Sequence, residues 1–260
     1  ERASHRCDGC PPEAARLGSI SGVQLTGFFS PTADSPADED FRYERKFVDP
    51  DGPVSEVVDL LKRHPAMFRE VYEPRRINNI YLDTPGLTCY RDNIVGRTAR
   101  YKARIRWYGE WGATVSAPSL EIKIKEGFLG RKAIFDVADF DTTGDVIEEI
   151  GHALKPVLRQ NPVAQRYVAG LRPAVANTYM RRYFRSSDGR FRVTVDWNVD
   201  YAAISRQAPL FATRFRERGV VIEVKYESQH DDAAATITGQ LPYRLVRNSK
   251  YMNGIEHVCA

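Results

Sequence analysis

Charged residues recur at every second position in several segments of this chain, and the same phase often holds a carboxylate as well as bases. In FRYERKFV (41–48), Arg42, Glu44 and Lys46 share a phase; in ARYKARIRWYG (99–109), Lys102, Arg104 and Arg106 do; in SLEIKIKEG (119–127), Glu121, Lys123 and Lys125 do. Arg181, Tyr183 and Arg185 follow, then Arg192, Thr194 and Asp196, then Glu223 and Lys225, with Lys250 beside Ser249. Period-two spacing puts such residues on one side of a strand. A single strand of this kind is an ordinary solvated sheet face, but a repeated set of cations asks for a polyanion. Arg presents a planar fork to phosphate oxygens, and Lys supplies a movable point charge. Glu44, Glu121 and Glu223 would repel a bare phosphate chain. They suit Mg²⁺ or Mn²⁺, which take carboxylate oxygens and keep phosphate oxygens in their shell.

The segments that must position these residues read as strands: 41–48, 78–83, 99–109, 119–127, 176–186, 191–201, 219–227 and 243–251, rich in β-branched and aromatic residues. Their other phase is apolar, as in Ile105 and Trp107, Leu120, Ile122 and Ile124, or Val220, Ile222 and Val224. Helical spacing appears in 54–72, where Pro65 breaks or kinks the run, and in 145–160, 162–171 and 231–241. The helices are too few to alternate with every strand, so the expected class is α+β with a largely antiparallel sheet. If that sheet closes, the charged face lines an interior; the same alternation also suits an open sheet with one solvated face. GFLGRK (127–132) reads as a hairpin turn, because no helix with the required Lys-Ser/Thr follows it.

The chain has 260 residues, 42% hydrophobic and 28% charged, as expected of a globular protein, and its net charge of +4 hints at an anionic partner without choosing one. No apolar run is long enough for a membrane-spanning helix, and no secretory signal is visible at the start. Cys7, Cys10, Cys89 and Cys259 are too few for a disulfide scaffold, so a reducing, cytoplasmic setting is expected. Cys7 and Cys10 with His5 make at most half a zinc site. They fall in residues 1–40, which read as a flexible segment ending in a Pro-, Ser- and acid-rich linker; the folded domain is expected over 41–260. His64, His152, His230 and His257 match no metal-ligand spacing.

In their order along the chain, RYERKF, NNIYLDTPGLTCYRDN, RIRWYG, LEIKIKEG, TYMRRYF, VTVDWN, IEVKY and RNSKYMNGI resemble a VTC domain. This is the polyphosphate polymerase branch of the CYTH-like triphosphate tunnel metalloenzymes. The resemblance spans about residues 41–258 and implies an eight-stranded antiparallel β-barrel, helices outside, whose tunnel holds a triphosphate or polyphosphate with Mn²⁺ or Mg²⁺. It assigns phosphate binding to Lys46, Arg104, Arg106, Lys123, Arg181, Arg192, Ser249 and Lys250, with Lys46, Arg104, Arg106, Lys123 and Lys250 also catalytic. Glu223 becomes the metal-binding glutamate, joined by Glu121 and Glu44. Tyr81 is a further match, and strand phase adds Arg91, Asp196 and Lys225. The first strand has YERK where the hydrolytic relatives carry paired acids before the lysine, Arg42 standing in for one of them. The implied activity is transfer of the ATP γ-phosphate to a growing polyphosphate chain by a prokaryotic-type, stand-alone domain. The alternatives are hydrolysis of tripolyphosphate or a nucleoside triphosphate on the same fold, or a non-catalytic module binding polyphosphate or inositol phosphates. ATP and polyphosphate are the implied ligands; a nucleic-acid partner is not expected, because the bases share strand faces with acids.

Overall fold

Why this chain makes a curved sheet with a charged hollow follows from its two-faced strands. The structure, a computed structural model, describes residues 23–25, 42–110, 114–127, 129–206, 210 and 214–258. The expectations for the Cys7–Cys10 pair and for most of the 1–40 segment lie outside them. In chain order the elements are β1 (Val23–Leu25), β2 (Arg42–Asp49), α1 (Val54–Arg63), β3 (Arg69–Asp83), α2 (Thr88–Ile94), β4 (Ala99–Tyr108), β5 (Thr114–Val115), β6 (Ser119–Glu126), β7 (Leu129–Asp136) and β8 (Phe140–Asp141). They continue with α3 (Val146–Gln160), α4 (Pro162–Val168), β9 (Arg172–Arg185), β10 (Arg192–Ala203), β11 (Arg214–Glu217), β12 (Val220–Glu227), α5 (Asp231–Gly239), β13 (Arg244–Leu245) and α6 (Lys250–Val258).

The expected barrel is not what forms. The main sheet is open, with strands in the order β1-β7-β6-β4-β3-β9-β10-β12-β2-β13 and β11 pairing beside β10; β5 and β8 form a separate pair. All the described ladders are antiparallel. Closure would require β2 to pair with β7, but each edge is already taken. β1 lies along β7, and β13 lies along β2 through Val48 and Phe47. The sheet is therefore a deeply curled trough with two capped edges.

Two more expectations change, and a third is extended. The helical run over 54–72 stops at Arg63, and β3 starts at Arg69, because residues 69–83 are held in a ladder with β9, and 77–82 in a second one with β4. The strand expected over 243–251 shrinks to two residues, after which Tyr251, Gly254 and Ile255 turn one buried helical face toward the sheet. GFLGRK contains the expected turn, with Gly127 at φ 62°, a conformation suited to glycine. The residues after the turn, however, belong to an eight-residue strand, β7.

Apolar side chains cover the convex face in two groups. Ala103, Ile105, Trp107, Leu120, Ile122 and Phe135 pack under α3 and α4. Phe47, Val193, Val195, Ile222 and Val224 pack under α1 and α5. Fully burying each such side chain stabilises the fold by about 1.5–3 kcal/mol, and this anchors the alternation so that every charged partner position points into the hollow. α6 takes the concave side instead, its Tyr251 and Ile255 meeting Tyr81 and Val175.

Candidate functional site

Strand register brings the charged positions together. Lys46 on β2 stands opposite Glu223 on β12, and Glu44 opposite Lys225. On the other wall Arg104 of β4 faces Glu121 of β6, and Lys102 faces Lys123, which in turn faces Lys132 of β7. Arg181 of β9 pairs with Asp196 of β10, and Thr194 lies between Tyr183 and Glu223. Curling closes the distance between the walls: Lys123 on β6 is influenced by Glu44, Lys225 and Lys46 from β2 and β12. The segment leading into α6 bridges them. Asn248 O accepts from Lys46 Nζ at 3.0 Å, Ser249 Oγ accepts from Lys102 Nζ at 3.0 Å, and Lys250 Nζ donates to Asp196 Oδ2 at 2.5 Å.

The acids act first as counter-ions. Arg104 donates two hydrogen bonds to Glu121 Oε2 at 2.8 and 2.5 Å, while Lys132 and Arg106 sit 2.9 and 3.7 Å from its Oε1. Arg181 grips Asp196 with both ends of its fork, at 2.5 and 2.7 Å. Burial alone would raise these carboxyls, but Arg104 and Arg106 hold Glu121 below the usual range, and Arg181 and Lys250 do the same for Asp196. Glu223 is pushed up by burial and pulled down further by Lys225, Lys46 and Arg181, ending well below the usual carboxylate value. Lys46 loses to burial and gains more from Glu223 and Glu44, so it rises.

Lys102 has no such balance. Burial, then the charges of Lys46, Lys123, Arg100 and Arg104, lower its ammonium to about 8. Lys123 is lowered as well, by desolvation in the groove, with Glu44 opposing and Lys225 and Lys46 adding. Two lysines directly opposite each other in a ladder repel. A phosphate chain across them would relieve that repulsion. Two buried polar atoms on the same concave face also have no hydrogen-bond partner: Thr194 Oγ1, opposite Glu223, and Asn177 Nδ2, whose amide oxygen accepts from Asn79.

The expected residues thus converge with few exceptions. Lys46, Arg104, Arg106, Lys123, Arg181, Ser249, Lys250, Glu44, Glu121 and Glu223 surround one groove, and Asp196 and Lys225 belong to it as charge partners. Tyr81 lines it, its hydroxyl accepting from Arg104 at 3.3 Å and its ring stacked on Tyr251 at 5.0 Å. Arg192 occupies an exposed position on β10, opposite Lys225 and Arg185. Arg91 does not join: it is an exposed residue of α2, over Gly86. Lys102 shares the phase of Arg104 and Arg106 but had no role assigned; its signal was that phase together with the absence of an acid beside it. Tyr179, Asn79, Asn177 and Thr194 gave no sequence signal beyond alternation.

NNIYLDTPGLTCYRDN acts as a joint. Asp83, at the end of β3, accepts from the backbone N–H groups of Cys89 and Tyr90 at 2.9 and 3.0 Å and from the Tyr251 hydroxyl, tying α2 and α6 to the sheet. Cys89 is buried there, its thiol pushed up to about 12 by burial and Asp83, which removes it as a nucleophile.

No group of three or more His, Cys, Asp or Glu side chains is arranged to hold a metal ion among the described residues. Both Glu121 oxygens are held by cations, Oε2 by two hydrogen bonds from the Arg104 fork and Oε1 by Lys132 with Arg106 nearby. Glu223 and Glu44 are also engaged on both oxygens, but only by lysines, whose flexible single ammonium yields to a metal more readily than an arginine fork. They share Lys46 and Lys225, with Glu44 Oε1 2.8 Å and Oε2 3.6 Å from those ammoniums and Glu223 Oε2 3.5 Å from Lys46. A pair of carboxylates is enough for Mg²⁺ when substrate phosphates complete the shell. No described helix is long and apolar enough to cross a membrane.

The VTC domain family model matches residues 41–259. No curated protein matches the sequence. Among solved structures, the chain is similar to a putative adenylate cyclase from Vibrio parahaemolyticus, with 13% identity, 84% of this chain and 98% of that one covered, and a TM-score of 0.49. It is also similar to a Pyrococcus horikoshii protein, with 12% identity, 84% and 99% coverage and a TM-score of 0.45. A putative adenylate cyclase from Bacillus halodurans gives 11% identity, 84% and 97% coverage and a TM-score of 0.47.

Proposed function

Because this chain belongs to the VTC domain family, we propose that it is a metal-dependent polyphosphate polymerase, transferring the γ-phosphate of ATP to a polyphosphate chain held in the open basic groove. The observation that carries this reading is the clustering of Lys46, Lys102, Arg104, Arg106, Lys123, Arg181 and Lys250 on one concave face, with Lys102 and Lys123 directly opposed and both ammoniums lowered.

The barrier in such a transfer is mainly the approach of two polyanions, so catalysis consists of positioning and charge neutralisation. Arg104 and Arg106, fixed by Glu121, Asn79 and Tyr179, present guanidinium groups in set orientations. Arg181 and Lys250, fixed by Asp196, stand against the ring of Tyr179, whose hydroxyl accepts from Arg106. Glu223 and Glu44 would hold Mn²⁺ or Mg²⁺, which supplies charge neutralisation at phosphate oxygens when bound. An oxygen of the acceptor's terminal phosphate forms the new bond to the γ-phosphorus, and the bond to the β-bridging oxygen breaks, releasing ADP.

Hydrolysis on the same fold is less well served. Water needs a base, and the groove's Glu121, Asp196 and Glu223 are all held below the usual carboxylate range by cations, which makes them weak bases. A phosphate acceptor is already ionised. The test is incubation of purified protein with ATP, Mn²⁺ and a short polyphosphate primer, scoring ADP, orthophosphate and polymer length. Polymer with matching ADP supports the polymerase; orthophosphate without polymer replaces it by the hydrolase, and neither product by a binding module.

A further inference from the structure

The concave face does not end at Arg106 and Arg181. Tyr183 on β9 continues the phase of Tyr179 and Arg181, and its register partner across the sheet is Tyr72 on β3. The two rings meet edge to face with centroids 5.6 Å apart. Arg75, which pairs with Arg181, places its guanidinium 5.0 Å from the centre of the Tyr72 ring. Arg181 lies 5.9 Å from the centre of the Tyr183 ring, so one arginine touches both this aromatic pair and the charged groove. Tyr108, in the phase of Arg104 and Arg106, ends β4 near Tyr183, whose hydroxyl is raised by burial and by Tyr108 against the pull of Arg181.

These rings are unusually open for tyrosines in a sheet of this kind: Tyr72 is 55% exposed and Tyr108 53%. Tyr72 and Tyr108 belong to none of the apolar clusters, whereas Tyr183 is anchored against the small one formed by Ile77, Tyr179, Val199 and Tyr201. Aromatic faces combined with a guanidinium plane suit a flat π-system. Their continuity with the phosphate-binding cations selects one that is joined to a phosphate chain.

We propose that Tyr72, Tyr183 and Arg75 form the site for the base of the nucleotide whose triphosphate lies on Arg106 and Arg181. This rests on the reading of the groove as a triphosphate site. Tyr72 supplies the exposed face on which the base stacks, Tyr183 braces it edge-on, and Arg75 covers the stack from the sheet side. The platform separates two ligands of similar charge, a nucleoside triphosphate and tripolyphosphate, because only the first has a base.

Calorimetric titration of the full chain with Mg²⁺-ATP and with Mg²⁺-tripolyphosphate tests this, comparing wild type with Tyr72→Ala and Tyr72→Phe. Loss of one stacking face weakens binding by about tenfold. Expected is a tenfold rise in the ATP dissociation constant for Tyr72→Ala, with tripolyphosphate affinity within twofold of wild type and Tyr72→Phe retaining ATP binding. Equal losses for both ligands, or an ATP affinity unchanged in Tyr72→Ala, would overturn the platform while leaving the groove assignment standing. Failure of wild type to bind either ligand would overturn the groove assignment and the platform with it. Tyr72 is exposed, and a melting temperature for each variant establishes that the fold is kept.

Discussion

Replacing Lys102 by Met should make the protein more stable and its groove worse. At neutral pH the charged lysine is held against Lys46, Lys123, Arg100 and Arg104 in a partly desolvated site, which lowers it from 10.5 to about 8. That drop corresponds to about 3 kcal/mol of unfavourable interaction in the folded state. Losing the hydrogen bond to Ser249 takes back about 1 kcal/mol. The net gain is about 2 kcal/mol, which for a chain of this size raises Tm by about 5 °C. The pH dependence has a definite sign. Below about pH 8 lysine is protonated in both folded and unfolded chains, and the folded form carries the full penalty. Between 8 and 10.5 the folded wild type sheds the proton first, so wild-type stability rises and the advantage of Lys102→Met fades. With tripolyphosphate the order should reverse, because losing one charge-assisted contact weakens anion binding by about tenfold or more. Thermal melts at pH 7 and 10.5, with and without tripolyphosphate, check all three. A Tm that falls at pH 7, or a gain that persists unchanged at pH 10.5, would refute the electrostatic account of the groove.

Three other outcomes follow from the same geometry. Glu223→Gln should abolish metal-dependent turnover while leaving metal-free anion binding at least as strong, measured by an activity titration with Mn²⁺ beside a tripolyphosphate binding isotherm; undiminished turnover would remove Glu223 from the metal site. Arg181→Ala should lower stability by about 3 kcal/mol in a denaturant titration, because it leaves the buried Asp196 to Lys250 alone, and adding Asp196→Ala should restore part of the loss. Gly254→Ala should cost about 1–3 kcal/mol, since its new methyl would lie 2.9 Å from Tyr201 Cδ1 and 3.1 Å from Val175 Cγ2, prising α6 from the sheet; an unchanged Tm would show that α6 is not packed this closely.

Much of the groove was legible in the sequence because alternation is a local property. Glu121, Lys123 and Lys125 must share a side whatever their strand pairs with, and the apolar run Leu120, Ile122 and Ile124 says which side faces the helices. The same logic places Lys46, Arg104, Arg106, Arg181 and Glu223. It could not say that Asp196 would be the buried anchor of both Arg181 and Lys250, since those three meet only through the β9–β10 register and the return of the chain into α6. Nor could it show Tyr72, which stands in a segment whose valines and leucines have helical spacing; the ladder to β9 overrides that preference over 69–72.

The sequence by itself determined the α+β class, the antiparallel strands, the charged phase and the family to which they point. Only the tertiary structure decided that the sheet stays open, that Glu121 is gripped by Arg104 and Lys132, and that Lys102 stands without an acid. Which face a side chain takes is settled by its own strand's period. Which edge a strand meets, and which charge lies across the hollow, depends on segments far apart in the chain: β1 takes the free side of β7 and β13 that of β2, so the edges are two short strands that do not pair with each other.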